Sequence, residues 1–221
     1  MAPKAPSVPI PAPTFCPDCT LCPRLASFLV DTAREHPDYH CKPVGPFGPP
    51  KPSLLIVGLA PGMHGANRTG RPFTGDYAGI LLYESLHALG LATAPTSVDR
   101  FDGLQLIGAR ITNAVKCLPP DNKPLPKEID TCNRYLSAEL AELKSVKAIL
   151  ALGVVAHDAV LKASALKRSA AKFGHGKEFV LPDGRHLVDS YHCSRYNTNT
   201  RRLTTEMFQT VLKRAAALAG L

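Results

Sequence analysis

Short, nearly unbroken apolar runs alternate along this chain with longer stretches in which apolar residues recur at helical spacing. Leu54-Leu-Ile-Val-Gly-Leu59 and Ala148-Ile-Leu-Ala-Leu152 read as strands covered on both faces, because a face open to water would carry polar residues at alternate positions. Leu106–Ala114 carries a further strand, and Phe179–Leu181 and Arg185–Val188, joined by Pro182-Asp183-Gly184, read as a strand pair. Helices are expected over Tyr77–Leu89, with Ile80, Leu81, Tyr83 and Leu86 near one face, over Lys127–Leu143, from Gly153 to Leu166, and over Leu203–Leu218. A shorter helix at Pro23–Ala33 starts on a proline in its first turn. This alternation predicts an α/β fold, a parallel-rich sheet with helices on both faces. Such sheets hold ligands at the carboxyl ends of their strands, so the loops after Leu59, Ala114 and Val188 are where chemistry is expected.

Composition sets the domain plan. The 221 residues suit a single domain with some decoration. Thirteen of the 21 prolines lie in residues 1–52, so residues 1–14 read as an extended Pro-rich tail ahead of one domain over 15–221. No internal repeat is visible. The longest apolar stretches, Leu54–Ala60 and Ala148–Ala156, fall well short of the ~18 residues a membrane span needs. The first thirty residues lack the layout of a secretory signal, and a cytosolic (cytoplasmic) protein with no membrane partner is expected.

Charge and cysteine content sharpen this. A formal net charge of +8 favours a polyanionic partner, though weakly by itself. The seven cysteines are odd in number, which argues against a disulfide framework. Cys19-Thr-Leu-Cys22 is a CxxC pair, and Cys117 and Cys132 can complete four thiolates, a set that suits tetrahedral zinc or a [4Fe–4S] cluster. Spacing does not separate the two, and Cys16-Pro-Asp-Cys19 is a competing pair. Cys41 and Cys193 read as buried structural thiols.

The loop from Gly58 to Asp76 is the most informative stretch. Its five glycines let the backbone approach a ligand closely, yet it matches neither a Walker loop nor GxGxxG. It supplies Phe73, Arg68, Arg71 and Asp76. Asn113 follows a strand, where its amide can pair with the edge of a nucleobase. His192 opens the polar, aromatic loop after the last strand.

The fragments GLAPGMHGANRTGRPFTGD, ITNAVKCLPP and YHCSRYNTNTRRLT, in this order and with the CxxC…C…C pattern, resemble the motifs of the uracil-DNA glycosylase superfamily, most closely its family 5, the iron–sulfur branch. The likeness runs from Cys19 to about Phe208. It implies a three-layer sandwich around a central four-stranded parallel sheet. It implies hydrolysis of the N-glycosidic bond of a damaged base in DNA, and a [4Fe–4S] cluster on Cys19, Cys22, Cys117 and Cys132 that organises structure. Read on this resemblance, Phe73 stacks on an everted base beside Gly58, Ala60 and Gly62, and Asn113 bonds its edge. Asp76 stabilises the oxocarbenium-like sugar and orients water, or serves as a helix N-cap, or both. His192 donates to the departing base. Arg68, Arg71, Arg195, Arg201 and Arg202 are expected on DNA phosphates, and Ser194–Thr200 supplies a wedge into the duplex.

Two departures stand out. Leu59 and Ala60 occupy positions where the uracil-specific branch has an acid or amide, and no bulky tyrosine appears in Pro61-Gly-Met-His64. A roomier pocket, open to hypoxanthine and other deaminated bases, is therefore expected. Cys193 stands where relatives have proline. A monomer is expected, since one pocket suffices. The competing reading is a non-catalytic, zinc-containing nucleic-acid-binding protein.

Overall fold

The computed structural model describes residues 14–221, so all but the last residue of the expected tail lies outside the described residues. The elements in chain order are α1 (Pro23–Glu35), β1 (Leu54–Gly58), α2 (Ala66–Thr69), α3 (Tyr77–Ala88), β2 (Ala109–Asn113), α4 (Pro126–Glu142), β3 (Ala148–Leu152), α5 (Val154–Ala163), β4 (Glu178–Val180), β5 (His186–Ser190), α6 (Arg195–Asn199) and α7 (Thr205–Ala219). The strands form one sheet in the order β2-β1-β3-β5-β4, the first four parallel and β4 antiparallel to β5 at the edge. The predicted four-stranded parallel sheet is present, with one antiparallel strand added.

Strand pleating divides the apolar runs between two cores. Leu54, Ile56, Ile111, Leu150 and Val188 pack toward α3 and α7, while Leu55, Val57, Ile149, Ala151 and Leu187 pack toward α4 and α5. Each fully buried Leu, Ile or Val stabilises the fold by about 1.5–3 kcal/mol, which is why unbroken runs occur only on these central strands. The expected face of α3 needs correction: Leu81, Leu82, Tyr83 and Leu86 are buried, but Ile80 is exposed and turned toward the carboxyl edge of the sheet. The helices over 66–69 and 195–199 are also additions, each too short to leave a periodic signal.

A third apolar cluster forms beside the sheet. Leu25 and Leu29 of α1 meet Val115, Cys117, Leu118, Cys132 and Tyr135, with Cys16, Cys19 and Cys22 packed against them. This lobe is tied to the sheet by the buried carboxylate of Glu139 on α4. It accepts from Arg110 Nε at 3.1 Å and Thr112 Oγ1 at 2.9 Å, and Lys116 Nζ lies 3.6 Å away. Among the described residues no helix is long and apolar enough to cross a membrane.

A second buried polar contact fixes β5. His157 of α5 and Asp189 are both fully buried, with Nδ1 and Oδ1 2.8 Å apart, and His157 Nε2 lies 3.1 Å from the Ala171 carbonyl oxygen. Both ring nitrogens face acceptors, which suits the imidazolium. Burial works against that charge, but the Asp189 hydrogen bond and charge outweigh it and raise the His157 pKa above its ordinary value. The stabilisation is therefore complete below the unfolded-state pKa, near 6.5, and fades as pH rises through the raised folded value. Urea unfolding of wild type from pH 6 to pH 9 should show stability falling as pH rises through the raised His157 value. His157→Leu, which leaves Asp189 alone, should lose this decline and cost roughly 3–5 kcal/mol, the cost of leaving one partner of a buried pair unpaired.

Candidate active site

The loops after β1, β2 and β5 meet at the carboxyl edge of the sheet around one cleft of about 1000 Å³. Its floor is set by strand register. Gly58 and Asn113 are paired residues at the ends of β1 and β2. A Cβ on Gly58 would collide with Asn113 Oδ1 and come within 2.6 Å of the Phe73 ring, so only glycine lets both side chains lie across the strand end. Phe73 itself holds φ at +54°, a left-handed conformation unusual for an aromatic residue, and its ring stacks near His192 with centroids 5.8 Å apart and planes 28° apart. Thr74 and Tyr83 support it from behind through bonds to the Pro72 carbonyl.

The polar groups around this ring are of three kinds. Asn113 is buried, and its Oδ1 has no hydrogen-bond partner among the described residues. A buried carboxamide left in that state is poised for a ligand's donor and acceptor. Asp76 caps α3, its Oδ1 accepting from Gly79 N–H at 3.0 Å, while Oδ2 lies over Gly62 and Gly65 inside the cleft. Burial raises its carboxyl pKa above the ordinary value, opposed by the Gly79 and Ala78 N–H groups. The two expected roles of Asp76 are thus compatible in one rotamer. Burial pushes His192 down to about 4, so at neutral pH it is a neutral imidazole that can donate a hydrogen bond. Its carbonyl accepts from Asn197 Nδ2 at 2.8 Å, which binds the loop to α6. Cys193 is buried beside Asp76, and burial, followed by the Asp76 charge, pushes its thiol up.

Ala60, Gly62, Arg68 and Arg195 also line the cleft. Arg68 is exposed, held by its Nε bond to the His64 carbonyl at 2.7 Å, and Arg195 lies 5.1 Å over the Tyr77 ring. Arg71 departs from expectation. It is 4% exposed, paired with Asp102 at 2.8 Å and lying 4.5 Å over the Phe47 ring, so it is a structural cation rather than a phosphate ligand. Arg201 and Arg202 are exposed but outside the cleft, Arg202 over Tyr191 at 4.6 Å. Sequence reasoning missed Asn122, His64, Tyr77 and Thr96–Val98, which also line the cleft. Asn122 could have been found from its place in the loop after β2, whereas Thr96–Val98 carries no motif.

The expected ligand cysteines Cys19, Cys22, Cys117 and Cys132 gather in one lobe as free thiols, together with Cys16. Among the described residues no three His, Cys, Asp or Glu side chains are grouped as a metal-ion site as they stand. By chemistry the donor set fits a thiolate-bound group. Burial, followed by the neighbouring Cys132, Cys19 and Cys22, pushes the Cys117 thiol up to about 12, so these sulfurs ionise together only against compensating positive charge.

Residues 46–216 match the family model described as the uracil DNA glycosylase superfamily. The chain is 48% identical over 209 residues to a type-5 uracil-DNA glycosylase of Thermus thermophilus, covering 92% of this chain and 94% of that protein. It is 44% identical over 207 residues to a type-5 uracil-DNA glycosylase of Pyrobaculum aerophilum, covering 92% and 90%. A type-5 uracil-DNA glycosylase of Mycobacterium bovis is 44% identical over 211 residues, covering 92% and 79%.

The environment of Asp76 predicts a separation of stability from chemistry. Because its folded pKa is raised, ionisation costs the native state as pH climbs from below 3.8 through the folded value. Asparagine caps a helix as well as aspartate does. Asp76→Asn should therefore melt at the same temperature as wild type or higher at pH 7, with the difference vanishing near pH 3 in thermal scans.

Proposed function

The chain belongs to the uracil-DNA glycosylase superfamily, within its type-5 branch, and from that premise we propose that it hydrolyses the N-glycosidic bond of uracil in DNA, leaving an abasic site. The observation that carries the mechanism is the Asn113 Oδ1, without a partner among the described residues and buried against the Phe73 ring, with the Asp76 carboxylate in the same cleft. A base inside a duplex cannot reach such a cleft, so the nucleotide rotates out at a cost of roughly a few kcal/mol. Phe73 stacks on the everted ring and Asn113 pairs with its hydrogen-bonding edge.

The C1′–N bond then breaks with its electron pair leaving on the base. Positive charge grows on the sugar and is met by ionised Asp76, which also orients the attacking water. Neutral His192 donates a hydrogen bond to the base as its negative charge develops. Water adds its hydroxyl to C1′ and its proton leaves for solvent or the base. Arg68 and Arg195 at the rim take phosphates, with Arg201 and Arg202 further out. Within the wedge segment Ser194–Thr200, Tyr196 is 71% exposed on α6 and would fill the gap left in the duplex. One chain supplies every group, in keeping with action as a monomer.

Breadth of substrate is supported by the size of the cleft and by the small residues Ala60, Gly62 and Gly65 in its wall, which leave room for hypoxanthine and other deaminated bases. Cys19, Cys22, Cys117 and Cys132 would hold a [4Fe–4S] cluster, which when bound cross-links α1 and the loop after β2 to α4 and takes no part in the hydrolysis.

The decisive assay offers duplex oligonucleotides containing uracil or hypoxanthine and reveals abasic sites with alkali. Wild type should turn over both. Asp76→Asn should lose about 100-fold or more, and its retained activity would remove Asp76 from the chemistry. Within wild type, the acid limb of the rate should lie above pH 3.8, because the raised Asp76 pKa must be exceeded before the carboxylate ionises. Anaerobically purified protein should absorb in the visible near 400 nm and lose iron in Cys117→Ser. A colourless, zinc-loaded protein would remove the cluster while leaving the glycosylase assay to stand by itself.

A further inference from the structure

The turn Thr96–Asp102, between α3 and β2, plays no part in the chemistry above. It nevertheless forms one wall of the cleft through Thr96, Ser97 and Val98. Its tip exposes two apolar side chains, Val98 at 66% and Phe101 at 80%, beside the charged Asp99 and Arg100, and the Arg100 guanidinium lies 4.7 Å over the Phe101 ring. An exposed aromatic residue is unremarkable on a loose loop, but this turn is held from within. Asp102 Oδ2 accepts from Val98 N–H at 2.9 Å and Asp99 N–H at 3.2 Å, and Oδ1 from Leu104 N–H at 2.9 Å. Asp99 Oδ1 accepts from Phe101 N–H at 2.8 Å. Arg71 reaches both Asp102 oxygens, at 2.8 and 3.0 Å, and Ser97 Oγ at 2.9 Å; Ser97 Oγ also lies 2.7 Å from Thr74 Oγ1. The same arginine and threonine flank Phe73 in sequence, so the cleft's aromatic floor and this tip share one anchor.

A fixed turn at the rim of a cleft, with two bare apolar side chains and a cation stacked on its aromatic ring, has the chemistry of a nucleic-acid contact. The ring offers a face to bases and sugars, and the guanidinium offers charge to a phosphate. We propose that the Val98–Phe101 turn is a second DNA-bearing element, in which Phe101 and Val98 press on base and sugar faces beside the vacated position, Arg100 neutralises a phosphate, and Arg71 is the positioning residue that holds the turn. It rests on the DNA-glycosylase reading and adds to it a contact outside the three motif loops.

The test uses the full chain and a short duplex carrying a tetrahydrofuran abasic analogue, with binding read by fluorescence anisotropy over a series of salt concentrations. Phe101→Ala should bind about tenfold more weakly with an unchanged salt slope, and Phe101→Trp should restore affinity. Arg100→Ala should weaken binding and flatten the slope of log K against log salt by about 0.9, the signature of one phosphate contact. Arg71→Met should weaken binding in wild type but add little once Phe101 is alanine, a coupling that a general loss of stability would not produce. Val180→Ala, at an exposed site on the far edge strand, serves as the control and should bind as wild type does. Phe101→Ala and Arg100→Ala variants that bind with wild-type affinity and salt slope would overturn the proposal. If wild type released no base at all, the functional reading itself would fall, and the two failures are distinguishable.

Discussion

The cleft depends on a missing methyl group. Gly58 ends β1 in register with Asn113 at the end of β2, and the space a Cβ would fill is taken by the Asn113 carboxamide and the Phe73 ring. The parallel sheet fixes where those strands stop to within a fraction of a residue, since a register slip would turn every buried side chain to the wrong core. Alignment of two strand ends thus becomes alignment of an amide with an aromatic face. The left-handed backbone at Phe73 is the strain this arrangement carries, and the bonds from Thr74 and Tyr83 to the Pro72 carbonyl hold it in place.

Electrostatics in the cleft follow from burial more than from ion pairing. Asp76 is raised and His192 lowered chiefly by removal from water. Among the described residues no cation is paired with Asp76, whose carboxylate is met by the Gly79 and Ala78 N–H groups of the helix it caps. A carboxylate so placed is strengthened toward any positive charge that arrives, because little else competes for it. The charge-satisfied groups lie away from it: Arg71 with Asp102 under the rim, Glu139 beneath the cysteine lobe, and His157 with Asp189 behind β5.

Much of this was legible in the chain. The unbroken runs at Leu54 and Ala148 announce central strands because only a sheet covered on both sides tolerates them, and β3 falls on the expected residues. The three loops converge because parallel strands all end on one edge. Phe73, Asp76 and His192 lie in those loops, Asn113 ends β2 where its loop begins, and all four line the same cleft. The place of Arg71 is not legible, because a sequence does not reveal whether a guanidinium in a Gly-rich loop meets solvent or an aspartate 31 positions later. The helix over Arg195–Asn199 left no trace, being a single turn set by the Ser194 cap rather than by periodicity. The wall at Thr96–Val98 was invisible for a different reason: its place depends on how α3 returns to β2, which no local pattern encodes.

The Asp76 side chain does two jobs with two oxygens, one closing the first turn of α3 and one facing the cleft. The alphabet open to natural drift at this position is therefore short. Glutamate keeps the charge but is a poor cap with a longer reach, whereas serine, threonine and asparagine keep the cap but discard the charge. A lineage that changed its chemistry here would pass most readily through a folded, capped and inert intermediate, which is a route by which a repair enzyme could survive as a binding protein.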